Sequence, residues 1–212
     1  MRGALITFEG VEGSGKSTQC RLLAERLSQR GLDVALTSEP DGTALGTLIR
    51  RMFEVGGGPP TPLSQAFLFM AARQQHVVQV VEPALRRGAL VLCDRYSDAT
   101  VAYQGFGQGL ALETIRDLNL LATGGVLPDL TLLLDLPPEI GMARIGGRRL
   151  DAFERMDLGF HRRVREGYLE IARAEKSRVV VLGADQEVAV LHGAIVTAVD
   201  ELLARRESRR GH

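Results

Sequence analysis

Five short apolar runs punctuate the chain, at residues 4–8, 34–37, 89–93, 130–136 and 178–182. Each is rich in Val, Leu and Ile with no polar alternation, which predicts strands buried on both faces, as in a parallel sheet covered by helices. The intervening stretches carry a helical period. They predict helices over 17–30, closed by Gly31, and over 45–54, 111–122, 138–145, 157–174 and 187–206, with a longer one over 62–87 interrupted near Pro83. Strands alternating with helices imply an α/β fold, a three-layer open sheet of five parallel strands flanked by helices. The Gly/Pro-rich stretch 56–62 reads as a loop between helices, and the charged stretch 205–212 as a solvated, frayed end.

In open sheets of this kind ligands bind beyond the carboxyl ends of the strands, and the residues there are unusually polar. After the first run comes Gly10-Val11-Glu12-Gly13-Ser14-Gly15-Lys16-Ser17, which fits the phosphate-cradling pattern G-x-x-x-x-G-K-[ST] between a strand and a helix. Backbone N–H groups of such a turn and the positive end of the helix converge on one anion site. Lys16 would reach the outer phosphates and Ser17 a Mg²⁺ ion, so the chain is expected to bind a nucleoside triphosphate.

With 212 residues the chain suits a single domain, expected over 1–206, with a small lid over about 144–157 and a tail over 207–212. Its 26 basic and 26 acidic residues cancel, so no global field draws it to nucleic acid or to a membrane. Anion binding must be local. Lys16 and Lys176 are the only lysines, which sets the one in the loop apart. Cys20 and Cys93 show no disulfide-scaffold spacing, the first strand starts too near Met1 for a leader, and no apolar run is long enough to span a bilayer; a reducing cytoplasm is the expectation. His76, His161, His192 and His212 have no zinc-type spacing, so no structural metal is expected.

Asp94, at the end of the third run, stands where phosphate-loop enzymes place the carboxylate that organises Mg²⁺. Asp135 competes for that role. Asp94 is favoured because Arg95 follows it, a cation able to grip a second phosphate. Arg50 and Arg73 fall on the same predicted rim, while Arg144, Arg148, Arg149 and Arg155 cluster around Gly146-Gly147 like a closing lid. Phe67 and Met70 read as helix packing. Phe69, one turn before Arg73, could stack a base whose edge the arginine reads. Tyr103-Gln104-Gly105 could do similar work or be a glycine turn capped by a buried tyrosine.

Together these residues resemble the bacterial type of thymidylate kinase over essentially the whole chain. The resemblance rests on Phe8 through Thr18, on Glu39-Pro40 with Gly42-Thr43, on Phe69 through Arg73, on Asp94-Arg95-Tyr96, on Ala102-Tyr103-Gln104-Gly105 and on Pro128-Asp129-Leu130-Thr131. It implies transfer of the ATP γ-phosphoryl group to dTMP with Mg²⁺, in a homodimer. Glu12 would approach the sugar 3′-hydroxyl; Phe69, Arg73, Thr100 and Gln104 would read thymine beside Glu39 and Pro40; Tyr103 would crowd out a ribose 2′-hydroxyl. Arg50 and Arg95 would hold the acceptor phosphate. Residues 10–18 would hold the ATP phosphates, Arg144, Arg148 and Arg149 would cover ATP, and Asp185 would lie on the adenine side. Four positions depart from the family's pattern: Ser38, where Arg often precedes Glu-Pro; Asp41, where Gly is usual; Gln108, where Arg often follows the glycine turn; and Ala152, where the lid motif usually carries Arg. Arg148, Arg149 or Arg155 would then supply the missing lid charge.

Other classes would use the same loop. A deoxynucleoside or sugar kinase would need a base to activate a hydroxyl, and in a regulatory ATPase the second-phosphate arginines would be idle. A switch GTPase needs Asn-Lys-x-Asp, yet Leu120 follows the only asparagine, Asn119.

Overall fold

The computed structural model describes residues 2–54, 60–147 and 150–208. Strands β1 (Ala4–Glu9), β2 (Val34–Ser38), β3 (Leu90–Asp94), β4 (Leu130–Asp135) and β5 (Val179–Gly183) form one parallel sheet in the order β2-β3-β1-β4-β5. The chain leaves β1 toward one edge and β3 toward the other. A crevice therefore opens between their carboxyl ends, which is where such sheets bind ligands.

Alternate residues of the central strands feed two cores. Ile6, Phe8 and Leu92 join Leu23, Leu132, Phe160 and Ile195 on one face, and Leu5, Val91 and Cys93 join Val81, Leu85 and Tyr96 on the other. The three-layer expectation holds. The expectation that every strand is buried on both faces does not: Leu36 of β2 is 49% exposed and Val181 of β5 is 46% exposed. These are the sheet's edges, and the flanking helices cover them only in part.

Helices α1 (Lys16–Gln29), α2 (Ala44–Glu54), α3 (Pro62–His76), α4 (Glu82–Arg86), α5 (Ser97–Thr100), α6 (Leu112–Thr123), α7 (Pro138–Ile145), α8 (Leu158–Ala174) and α9 (Val188–Ser208) fill the connections. The run over 62–87 stays helical through Pro83. The register change falls before it, in the π-helical turn Val77–Val81, so the residue without an N–H opens a new segment. A second π-helical stretch, Val101–Gly107, continues α5 where a glycine turn was one of two expectations. Its glycines serve close packing instead: a Cβ at Gly107 would lie 2.6 Å from the Phe160 ring and one at Gly105 2.6 Å from Leu112. Phe67, expected to pack, is 53% exposed, whereas Met70 is buried.

Residues 205–208 of the charged stretch are helical rather than frayed. Helix α9 runs to Ser208, and Arg206 donates to Asp129 at 3.1 Å and to the Gly3 carbonyl at 2.9 Å. Residues 209–212 lie outside the described residues, as do 55–59 of the glycine-rich loop. Among the described residues no helix is long and apolar enough to cross a membrane.

Candidate active site

The loop after β1 turns on three glycines with positive φ, Gly10 (137°), Gly13 (71°) and Gly15 (92°), and α1 begins at Lys16. The first-turn N–H groups of a helix have no intrahelical partners, so a helix that opens directly on such a loop suits an anion. Gly13 is also a packing requirement, because a Cβ there would lie 2.3 Å from the Gly141 carbonyl of α7. Lys16 is buried and donates to the carbonyls of Gly10 (2.8 Å) and Val11 (2.7 Å) and to Ser14 Oγ (3.3 Å). Burial pushes its ammonium down to about 8, helped by Arg95 and opposed by Asp94, Glu12 and Glu9.

Ser17 Oγ donates to Asp94 Oδ2, and the buried Asp94 Oδ1 has no hydrogen-bond partner among the described residues. A hydroxyl beside a carboxylate with an unused oxygen is a hard-oxygen donor set suited to Mg²⁺, which takes one or two protein ligands and completes its shell with water and phosphate. Asp135 is otherwise engaged: Arg165 grips both its oxygens, at 2.7 and 2.8 Å. Asp94 has no such bidentate arginine partner among the described residues. Arg95 follows with φ 68°, outside the usual range for a side-chain-bearing residue, and its guanidinium stands 3.6 Å from Asp94 and 3.8 Å from Glu12.

Toward the other end of the crevice Arg73 is almost fully buried. It donates to Glu39 (2.8 Å), Thr100 Oγ1 (3.0 Å), Asn119 Oδ1 (2.7 Å) and the Tyr96 carbonyl (2.9 Å). Glu39 also meets His76 Nδ1 at 3.0 Å, whose other ring nitrogen meets Thr37 Oγ1 at 2.7 Å. A guanidinium fixed on so many sides holds its orientation at low entropic cost, with its Cζ 5.6 Å from the Tyr96 ring centroid. Phe69 stacks on Phe53 with ring centroids 5.1 Å apart, and Phe153 from the lid segment tilts against both. Gln104 is buried at the same wall. Arg50 is tied at 3.1 Å to Asp41, the aspartate that departs from the family's glycine.

Between the two ends lies Glu12, buried, accepting from the Tyr103 hydroxyl and facing Arg95 and His161. Burial pushes its carboxyl up, but His161, Arg95, Lys16 and Tyr103 outweigh burial and hold it down at about 2. The carboxylate is ionised at neutral pH. Behind it Glu9 is fully buried and accepts from the Tyr96 N–H and the Tyr168 hydroxyl; burial and the nearby Asp98 push its carboxyl up to about 8.

Between α7 and α8, where a lid is expected, Asp151 Oδ1 accepts from the N–H groups of Phe153 and Glu154, and Glu154 accepts from the Asp151 N–H, a reciprocal capping turn. Ala152 packs against the apolar group of Ile49, Phe53 and Ala72. Arg155 donates to the Leu150 carbonyl and is exposed, and Arg148 and Arg149 lie outside the described residues. Arg144 bridges the Gly13 and Ala184 carbonyls at 3.2 and 3.0 Å.

These residues enclose a cavity of about 540 Å³. Glu12, Gly13, Gly15, Lys16, Ser17, Thr18, Glu39, Pro40, Arg50, Phe69, Arg73, Asp94, Arg95, Thr100, Tyr103, Gln104 and Arg144 all line it. Gly10, Val11 and Ser14 lie behind the wall of the loop, and Asp185 is exposed beside Ala184, away from the cavity lining. Sequence reasoning missed His161 and Asn119. Neither sits in a motif, and only helix periodicity pointing them inward could have flagged them.

The sequence profile of the thymidylate kinase family matches residues 8–195. A thymidylate kinase of Synechococcus sp. (strain JA-2-3B'a(2-13)) is 48% identical over 198 residues, covering 93% of this chain and 95% of that protein. One of Desulforudis audaxviator is 45% identical over 213 residues, covering 100% of this chain and 96% of that protein. The crystal structure of thymidylate kinase from Ehrlichia chaffeensis superposes with a TM-score of 0.77 at 34% identity, covering 94% of this chain and 99% of that one. This chain therefore belongs to the thymidylate kinase family.

Proposed function

We propose that the cavity binds ATP and dTMP head to tail and transfers the γ-phosphoryl group to the dTMP phosphate, giving ADP and dTDP. The observation that carries this is the joining, in one cavity, of a phosphate loop at one end and an aromatic and arginine wall at the other, with Arg95 between them. A phosphate monoester has a second pKa of about 6, so the acceptor oxygen is already anionic near neutrality and needs no general base. The protein's task is to align two polyanions and screen their repulsion.

Lys16 turns from the loop carbonyls to the outer phosphates of ATP, and the loop N–H groups hold the rest. Arg50 and Arg95 hold the acceptor phosphate. Phe69 stacks thymine, with Arg73, Thr100 and Gln104 at its edge and Glu39 and Pro40 beside it. Glu12 accepts the sugar 3′-hydroxyl, and the Tyr103 ring excludes a 2′-hydroxyl. Ser17 and Asp94 would hold Mg²⁺, which supplies charge neutralisation at the outer phosphates. Arg144 fixes the loop against the adenine side, where Asp185 lies, and the segment 144–157, carrying Arg148 and Arg149, covers ATP and keeps water out.

We further propose one domain over 1–206 that works as a homodimer in a reducing cytoplasm. The neighbouring helices α2, α3 and α6 leave Leu48, Met52, Leu63, Phe67, Leu120 and Leu121 exposed, which favours a covering partner, and both cysteines are buried free thiols. ADP formation from ATP across a panel of nucleoside monophosphates and nucleosides tests the reaction. Stimulation by dTMP above all others is expected; a nucleoside acceptor would point to the rival kinase class.

A further inference from the structure

In the first turn of α8, His161 is 1% exposed, and neither of its ring nitrogens has a hydrogen-bond partner among the described residues. The Glu12 oxygen Oε2 is likewise buried and without one among the described residues, and it stands 3.4 Å from His161 Nδ1. Two unsatisfied polar groups that face each other at that separation are unusual, because each alone costs free energy that a short approach would recover. The other oxygen of Glu12 accepts from Tyr103. A ring proton on Nδ1 would point at the Glu12 oxygen that faces it.

We infer that His161 is a positioning residue for acceptor selectivity: its Nδ1–H fixes Glu12 from behind, so that the carboxylate presents a lone pair to the 3′-hydroxyl of the incoming nucleotide. The inference rests on the proposed contact between Glu12 and that hydroxyl. His161 touches no substrate itself. Tyr103 holds one oxygen of the carboxylate and His161 the other, and the remaining lone pairs are the ones available to a sugar. Removing the rear donor leaves Glu12 free to rotate toward Arg95, 3.8 Å away, and the hydroxyl loses a fixed acceptor. The expected consequence is specific. A nucleotide without a 3′-hydroxyl has nothing to lose, whereas dTMP does.

The experiment compares kcat/KM for dTMP and for 3′-deoxy-dTMP in the wild-type enzyme and in His161→Phe, His161→Asn and Glu12→Gln. His161→Phe should lower the preference for dTMP by about tenfold, chiefly through KM, with the 3′-deoxy substrate little affected. His161→Asn, whose amide N–H falls near the Nδ1 position, should restore most of the preference. If His161→Phe does not fold, His161→Gln carries the same test, since its donor lies further out. Equal losses on both substrates mean that His161 only packs, and overturn the inference. A preference lost in Glu12→Gln but kept in His161→Phe overturns the inference alone, and a preference kept in both removes the Glu12 assignment and the inference with it.

Discussion

Asp41 places a carboxylate where the acceptor phosphate is proposed to bind. It pairs with Arg50 at 3.1 Å, with 34% and 42% of the two side chains exposed. Burial raises its carboxyl above the ordinary value, and the Arg50 guanidinium opposes that shift. For dTMP to use Arg50, that ion pair must open, at a cost of about 0.2–1 kcal/mol for so exposed a pair. The freed carboxylate would then repel the phosphate, and a separation of about 6 Å serves to illustrate the Coulomb term. Two unit charges at that distance repel by about 0.7 kcal/mol in water and about 2.8 kcal/mol at the dielectric of a protein rim, before salt screening. Asp41→Asn keeps the shape and removes the charge. Taking about 1 kcal/mol as the net, its KM for dTMP should fall about fivefold with kcat and the KM for ATP nearly unchanged. A coupled ADP assay reads this, and the gap between wild type and variant should shrink with added salt. It should also shrink as pH falls, because protonation makes wild-type Asp41 neutral as well. An unchanged or higher KM for dTMP in Asp41→Asn would refute the placement of the acceptor phosphate at Arg50.

Lys16→Met should cut kcat by about 10²–10³-fold while the circular-dichroism spectrum stays that of the wild type. Because burial lowers the Lys16 ammonium to about 8, kcat/KM for ATP in the wild type should decline as pH rises past that value, where the free enzyme loses the charge. Glu39→Ala strands the buried Arg73 and frees His76, and urea denaturation should register a loss of about 3–5 kcal/mol. Arg95→Ala should depress kcat/KM for dTMP far more than for ATP, and steady-state kinetics with dTMP varied that match the wild type would remove Arg95 from the acceptor site.

Much of the fold is legible because buried parallel strands must be apolar on both faces. The central strands β1 and β3 obey that rule, and the loop between β1 and α1 carries the least ambiguous chemistry. What escaped the sequence depends on partners far along the chain. Leu36 and Val181 look as apolar as any core residue, and only sheet order makes them edges. Gly105 and Gly107 resemble turn residues, but their purpose is to admit Leu112 and Phe160. Asp94 and Asp135 end equivalent strands, and what distinguishes their surroundings is Arg165, thirty residues after Asp135, which pairs with Asp135 alone. Asn119 enters the sequence reasoning only as the missing half of a guanine motif, yet its amide ties Arg73 to the Ser97 carbonyl.

A crystal structure with a bisubstrate mimic, thymidine and adenosine joined through a polyphosphate, tests the two-nucleotide cavity most directly. Thymine should stack on Phe69 within reach of Arg73, the phosphates should run past Arg95 into the loop around Lys16, and the sugar should meet Glu12. Adenine at the Phe69 wall, or thymine outside the cavity, would contradict the account.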